Sequence, residues 1–347
     1  MSIIEQTRQS RRVQLSGGST FVVSLPKYWV EEMKIKAGDS VTFVKNTNNS
    51  LTLFPGFNYD DEEKKQAIIT TTQKDSGEAL RRKIIATYLG GYKSIIIKSK
   101  GMRIQPEHAR VIRNLVRTSM VGTEIVESSS ESIMIQILTR LPELSFETAL
   151  KRMQLMAMNM HHEAMEALAE NDKTHGEEIP NMDAEVDRFS LYILRNLSIA
   201  VQNADVLFDM GLKEPADCLG YRAVISRIER IADHAVLIAK RIKFLEDSID
   251  PKIMKKLSKL SEDSLKVFDD SITALLKKDY LLAESIAEKI QNVIESEKNF
   301  MSSINDSTKN STIIKFIIED IRRTAEYSSD IVEVAIDENI HSIISKK

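Results

Sequence analysis

RIERIADHAVLIAKRI, residues 227–242, is the stretch whose reading decides the fold. With the residues just before it, it sets Ile225, Ile228, Ala232, Ala235, Ala239 and Ile242 at alternating three- and four-residue steps. That seam predicts a helix packed closely against antiparallel neighbours in a bundle. Glu229 and Asp233 fall off the seam, one helical turn apart, where like charges repel by roughly 0.2–0.5 kcal/mol. Arg230 is spaced to pair with Asp233. A single such pair is an ordinary solvated flank in a chain that is 29% charged.

The pair recurs. RRTAEYSSDIVEVAID, residues 322–337, carries Glu326 and Asp330, and a small residue precedes the second acid in both places, Ala232 and Ser329. MDAEVDRF, residues 182–189, adds Asp183 and Asp187 at the same spacing. Converging carboxylates repel unless a cation neutralises them, and an all-oxygen set suits hard ions such as Mg²⁺, Mn²⁺ or Fe³⁺. The second copy is less complete. Aligned from Asp279, Glu295 matches Asp187 and Gln291 matches Asp183, while another register would use Glu284 and Glu288.

Around these motifs the last 200 or so residues read as six helices, near 143–170, 180–208, 215–246, 251–277, 279–304 and 310–342. Two three-helix units, an internal duplication, account for the recurrence. Upstream the texture changes. Residues from about 66 to 140 alternate β-α-β-α-β-β, with Gly90-Gly91 closing one helix and Pro106 opening the next, which indicates a small α/β layer. It contains no phosphate loop and no GxGxxG. RRVQLSGGSTFVVSLP, residues 11–26, reads as a Gly-Gly hairpin; a short helix in KYWVEEMKI and two further strands in SVTFVK and SLTLF follow. So few large apolar side chains make a poor core, and this segment needs a partner chain for stability.

The chain has 347 residues, a net charge of −3 and one cysteine, Cys218. The charge excludes a global polycation, so nucleic-acid affinity requires a local basic patch. One cysteine excludes an intrachain disulfide and points to a cytoplasmic location. No apolar run reaches the ~18 residues of a membrane span, and no signal-peptide core precedes the first strand. Other chemistry is thin. His161-His162-Glu163 is not an HExxH motif, Glu338-x-x-His341 is half of a di-iron pattern without its second copy, and no Ser-His-Asp or Cys-His constellation is recognisable. The expectation is a non-enzyme.

On these residues the helical region, about 143–345, resembles the PhoU family of phosphate-uptake regulators, whose E(D)xxxD motifs recur in two three-helix repeats. The resemblance implies bound metal on the bundle surface (iron, manganese, magnesium or zinc) and implies as ligands Asp183, Asp187, Glu229, Asp233, Glu295, Glu326 and Asp330. Family members usually carry Gly where this chain has Ala232 and Ser329. GGSTFVVSLPKYWVEEMKIKAGDSVTF, residues 17–43, resembles the AbrB/SpoVT/MazE swapped-hairpin fold. That implies a homodimer binding DNA through basic residues, here Arg8, Arg11, Arg12 and Lys27. The expected architecture is multidomain: a swapped-hairpin β domain (1–58), a small α/β domain (59–142) and an all-α PhoU-like bundle of two three-helix repeats (143–347). The expected function is a cytoplasmic, phosphate-responsive transcription regulator with DNA and itself as partners. The alternative is an adaptor that docks on a phosphate transporter or sensor without touching DNA.

Overall fold

The computed structural model describes residues 9–45, 50–55, 66–100, 103–138, 145–307, 309–340 and 343–344. The chain divides into two compact units, Met1–Lys64 and Lys65–Lys347.

In the first unit, β1 (Gln14–Ser16) pairs antiparallel with β2 (Thr20–Val22), Leu15 facing Phe21. Gly17 and Gly18 turn the chain at φ 61° and 83°, where a Cβ would be strained. Pro26, extended at ψ 127°, immediately precedes α1 (Lys27–Glu32). A second hairpin joins β3 (Val41–Lys45) to β4 (Leu51–Pro55). The two hairpins are separate two-stranded sheets. None of the side chains whose burial is described in this unit is buried; Phe21 is 75% exposed, and Val13, Leu15, Phe43 and Leu51 are exposed as well. The small core expected from the sequence is, among the described residues of a single chain, missing.

The second unit begins with β5 (Gln66–Thr71), α2 (Gly77–Leu89), β6 (Ser94–Ser99), α3 (Pro106–Thr118), β7 (Thr123–Ser128) and β8 (Ser132–Ile137). The sheet order is β5-β6-β8-β7, with β5 and β6 parallel and β8 antiparallel to both its neighbours. Alternate strand residues Ile95, Ile97, Ile133 and Ile135 pack with Leu80, Ile84 and Tyr88 of α2 and Ile112 and Leu115 of α3 in one buried cluster. Ser76 caps α2 by accepting from the Ala79 N–H at 3.2 Å.

Helices α4 (Phe146–Glu170), α5 (Lys173–Ala200), α6 (Ala204–Asp209), α7 (Asp217–Ile242), α8 (Pro251–Lys277), α9 (Tyr280–Ser303) and α10 (Ser311–Asn339) complete it around a second cluster. The seam residues of α7, Ile225 to Ile242, are all buried. The repeat shows in the punctuation. α4 ends on left-handed Asn171 and Asp172 caps α5; α8 ends on left-handed Lys278 and Asp279 caps α9. Two boundaries differ from the sequence expectation. The second helix starts at Lys173, with Pro180 inside it. Pro180 leaves the Gly176 carbonyl without its usual N–H partner, but Gly176 packs tightly, a Cβ there lying 3.3 Å from the Ala239 carbonyl oxygen, so tertiary packing holds the turn. The same helix stops at Ala200, because Asn203 accepts from the Val206 N–H at 3.2 Å and starts the separate α6.

The α/β layer is fastened to the bundle by Arg195 of α5. Its guanidinium stacks on the Tyr88 ring at 4.7 Å and donates to the carbonyls of Tyr88 and Tyr92, the latter at 2.9 Å. Arg195 is only 5% exposed, so these bonds satisfy a charge held away from water. Among the described residues no helix is long and apolar enough to cross a membrane.

Candidate functional site

The first acidic edge lies between α5 and α7. Val186 and Ile193 of α5 and Ile228, Ile231 and Ala232 of α7 are buried, which fixes both helices and sets Asp183, Asp187, Glu229 and Asp233 on one flank. The four carboxylates sense one another. Asp183 is pushed up to about 7, first by burial and then by Asp187, Asp233 and Glu229. Burial and then Asp233 raise Asp187, opposed by Arg81 of α2. Burial also raises Glu229, although the Ser190 hydroxyl donates to its Oε2 at 3.0 Å. Asp233 has Arg230 at 3.4 Å. Asp183 Oδ1 is buried and has no hydrogen-bond partner. A partnerless buried carboxylate oxygen among three other acids is a donor set for a hard cation, so these residues fit an all-oxygen metal site. Among the described residues, however, no three His, Cys, Asp or Glu side chains are already gathered at one point to ligate an ion.

The corresponding edge of the second repeat is built differently. Glu326 accepts from Arg322 and from Arg323, the latter Nη1 at 3.0 Å. Asp330 Oδ2 lies 2.6 Å from Arg227 Nε of α7. Glu295 is exposed, and the α9 acid turned toward α10 is the buried Glu297, 3.9 Å from Arg322 Nε. Arg322 and Arg323 also hold Glu319, whose carboxyl they pull below its usual range. The signal for this network stood in the sequence: Arg322 and Arg323 precede Glu326 by four and three residues, the helical ion-pair spacing.

A second feature carried no sequence signal. Asp320 of α10 is 2% exposed and meets His234 Nδ1 at 2.9 Å and the Arg241 guanidinium, both on α7. His161 is a core group: its Nε2 sits 2.9 Å from the Ile231 carbonyl oxygen and 3.2 Å from Thr324 Oγ1, and burial pushes its pKa down to about 4. Glu163 instead meets His175 at 2.6 Å. Burial raises Glu338 to about 7, where it is bonded to Tyr221; His341 lies outside the described residues. Cys218 is buried, and its thiol is pushed up to about 11. In the first unit Arg11, Arg12 and Lys27 are exposed, while Arg8 lies outside the described residues.

The helical bundle and the hairpin unit each have counterparts among known proteins. Residues 150–242 match the PhoU domain, and residues 14–59 match MazE, the antidote-toxin recognition bacterial antitoxin. The chain thus carries a PhoU-like domain and an N-terminal MazE/AbrB-like domain. A phosphate-specific transport system accessory protein PhoU homolog of Clostridium acetobutylicum is 25% identical over 196 residues, which are 54% of this chain and 87% of that protein. The crystal structure of the phosphate transport system regulatory protein PhoU from Streptococcus pneumoniae is 22% identical with a TM-score of 0.49, covering 58% of this chain and 96% of that one. PhoU from Pseudomonas aeruginosa is 17% identical with a TM-score of 0.49, covering 57% and 96%.

Proposed function

We propose that this protein is a PhoU-type regulatory adaptor of phosphate uptake. It acts in the cytoplasm, docks on a phosphate transporter or sensor, and is homodimeric through its N-terminal unit. The PhoU match across α4 to α7, the helices that carry the first acidic edge, is the observation that supports docking. Dimerisation is supported by hairpins that bury none of their described side chains in one chain yet present Phe21, Leu15 and Phe43 to solvent. A hard cation, iron, manganese or magnesium ahead of zinc, would be held by Asp183, Asp187, Glu229 and Asp233 and would supply the positive charge that draws these carboxylates together. The test is affinity capture of the full chain from native membranes solubilised in detergent. Recovery of a phosphate transporter or sensor subunit, lost on deleting residues 145–347, is the expected result; recovery of neither refutes docking.

A second reading is a DNA-binding regulator, favoured by the MazE-like match and by Arg11, Arg12 and Lys27 on the surface of the same unit. Its affinity would fall steeply with salt, because basic side chains on phosphates dominate such binding. Arg11→Gln/Arg12→Gln separates the two. The adaptor keeps its dimer and its regulation of uptake, whereas the DNA regulator loses binding to phosphate-transporter promoters.

A further inference from the structure

The two repeats neutralise their motif carboxylates by different means. We propose that Arg322 and Arg323 stand in the second repeat where the first takes a cation, so that metal binds at Asp183, Asp187, Glu229 and Asp233 and not at Glu295, Glu326 and Asp330. The first half of this statement rests on the cation reading above.

The substitution is positional. The displacement that puts Glu229 on Glu326 and Asp233 on Asp330 also puts Ile225 on Arg322 and Ser226 on Arg323. Ile225 is a fully buried seam residue and Ser226 is exposed, so the first repeat offers its Glu229 no cation from the preceding turn. In the second repeat both oxygens of Glu326 are occupied, Oε1 by Arg322 and Oε2 by Arg323. Both oxygens of Glu319 are occupied too, Oε2 by Arg322 Nε at 2.9 Å and Oε1 by Arg323 Nε at 3.1 Å. Guanidinium forks match carboxylates edge to edge and keep their charge at every physiological pH. Each Glu326 oxygen already accepts from a guanidinium, and an incoming cation would meet two fixed positive charges.

The remaining donors are also engaged or turned away. Asp330 faces Arg227 across the helix pair, Glu295 points to solvent, and Glu297, which does face α10, meets Arg322. The contrast with the first edge is in the residual imbalance. There Arg230 is the one guanidinium in an ion pair with any of the four acids among the described residues, and Asp183 Oδ1 keeps no partner. Glu326 and Asp330 have thus been retained in the second repeat, while Gln291 replaces one acid and the counter-charge has been written into the chain. That edge is complete without metal, and any metal-dependent change must originate on α5 and α7.

The experiment is Mn²⁺ titration of the full-length, chelator-treated protein, with metal content read by elemental analysis. Four forms are compared: the native chain, Asp183→Asn/Glu229→Gln, Glu326→Gln/Asp330→Asn, and Arg322→Ile/Arg323→Ser, which installs the first-repeat residues. The expected result is one class of site that weakens at least tenfold in the first variant and changes less than twofold in the second. The third variant should gain an additional Mn²⁺ equivalent. Loss of metal in Glu326→Gln/Asp330→Asn overturns the inference while leaving the cation reading intact. A native chain that binds no Mn²⁺ refutes the first-repeat site. In that event, acquisition of Mn²⁺ by Arg322→Ile/Arg323→Ser upholds the role of the arginines and its absence overturns it. Circular dichroism of each variant establishes that it is folded, and should the arginine variant unfold, the Glu326→Gln/Asp330→Asn result decides alone.

Discussion

Arg227 Nε lies 2.6 Å from Asp330 Oδ2, which ties the motif helix of the first repeat to the motif helix of the second. The partners run in opposite directions along α7 and α10, since Arg241, further along α7, meets Asp320, further back on α10. The two repeats therefore meet through the face of α7 that carries Arg227 and Arg241, while Glu229 and Asp233 of the same helix sit toward α5. Both side chains of the Arg227–Asp330 pair are about 40% exposed, so water screens it. A double-mutant cycle with Arg227→Met and Asp330→Asn should give a coupling of about 0.5–1 kcal/mol in urea unfolding. A coupling near zero would mean the pair does not join the repeats in solution.

The buried counterpart should behave otherwise. Asp320 is almost fully enclosed and holds both His234 and Arg241. Asp320→Ala strands a guanidinium with little access to water, a loss of about 3–5 kcal/mol. The double change Asp320→Leu/Arg241→Met removes both charges and should recover most of it. Thermal unfolding of the three proteins checks the order; a single variant as stable as the native chain would show that the cluster is not buried.

What the sequence disclosed, and what it hid, follows from the range of the forces. Local rules were legible: the hairpin turn at Gly17-Gly18, the helix stop at Gly90, and the seam of α7. Pro180 misled because a local rule lost to close packing of Gly176 against the last turn of α7, a contact some 60 residues away. The first acidic edge was legible because spacing alone places Asp183 with Asp187 and Glu229 with Asp233. The neutralisation of Glu326 was also local, and Arg322-Arg323 in the quoted stretch announces it once helical spacing is applied to cations as well as acids. Asp320 was invisible: an isolated aspartate in IIEDIRR looks solvated until the third dimension brings Arg241 and His234 to it.

The first acidic edge makes stability depend on pH in a defined direction. Asp183 titrates near 7 in the folded chain against an ordinary value of 3.8, so the folded state holds its proton more tightly. An acid raised in this way adds no penalty below the unfolded value, and its cost develops as pH rises from about 4 to about 7. Asp187 and Glu229 are shifted the same way. The metal-free protein should therefore lose stability across that window, and Asp183→Asn should gain on the native chain at pH 7.5 while matching it at pH 4. The gain should be on the order of 1–2 kcal/mol, allowing for the screening of a half-buried group. Added Mn²⁺ should reverse the order at pH 7.5, because a ligand that binds only the folded state stabilises it. An Asp183→Asn advantage that is the same at both pH values would remove the electrostatic account of this edge.

The hairpin unit sets the last test. Phe21 and Leu15 face each other across β1 and β2, both largely exposed, and none of the side chains described in this unit is buried. At about 25 cal/mol per Å² of apolar surface, a pair of such hairpins gains stability only by covering these side chains with another surface, and a second copy supplies an identical one. Replacing Phe21 and Leu15 together by Ser should shift the full chain from dimer to monomer in analytical ultracentrifugation. Unit 2 should keep its own melting transition, because its two cores do not draw on these residues. A native chain that sediments as a monomer at micromolar concentration, with the hairpins protected from proteolysis, would place the cover for Phe21 within the same chain and exclude the exchanged dimer.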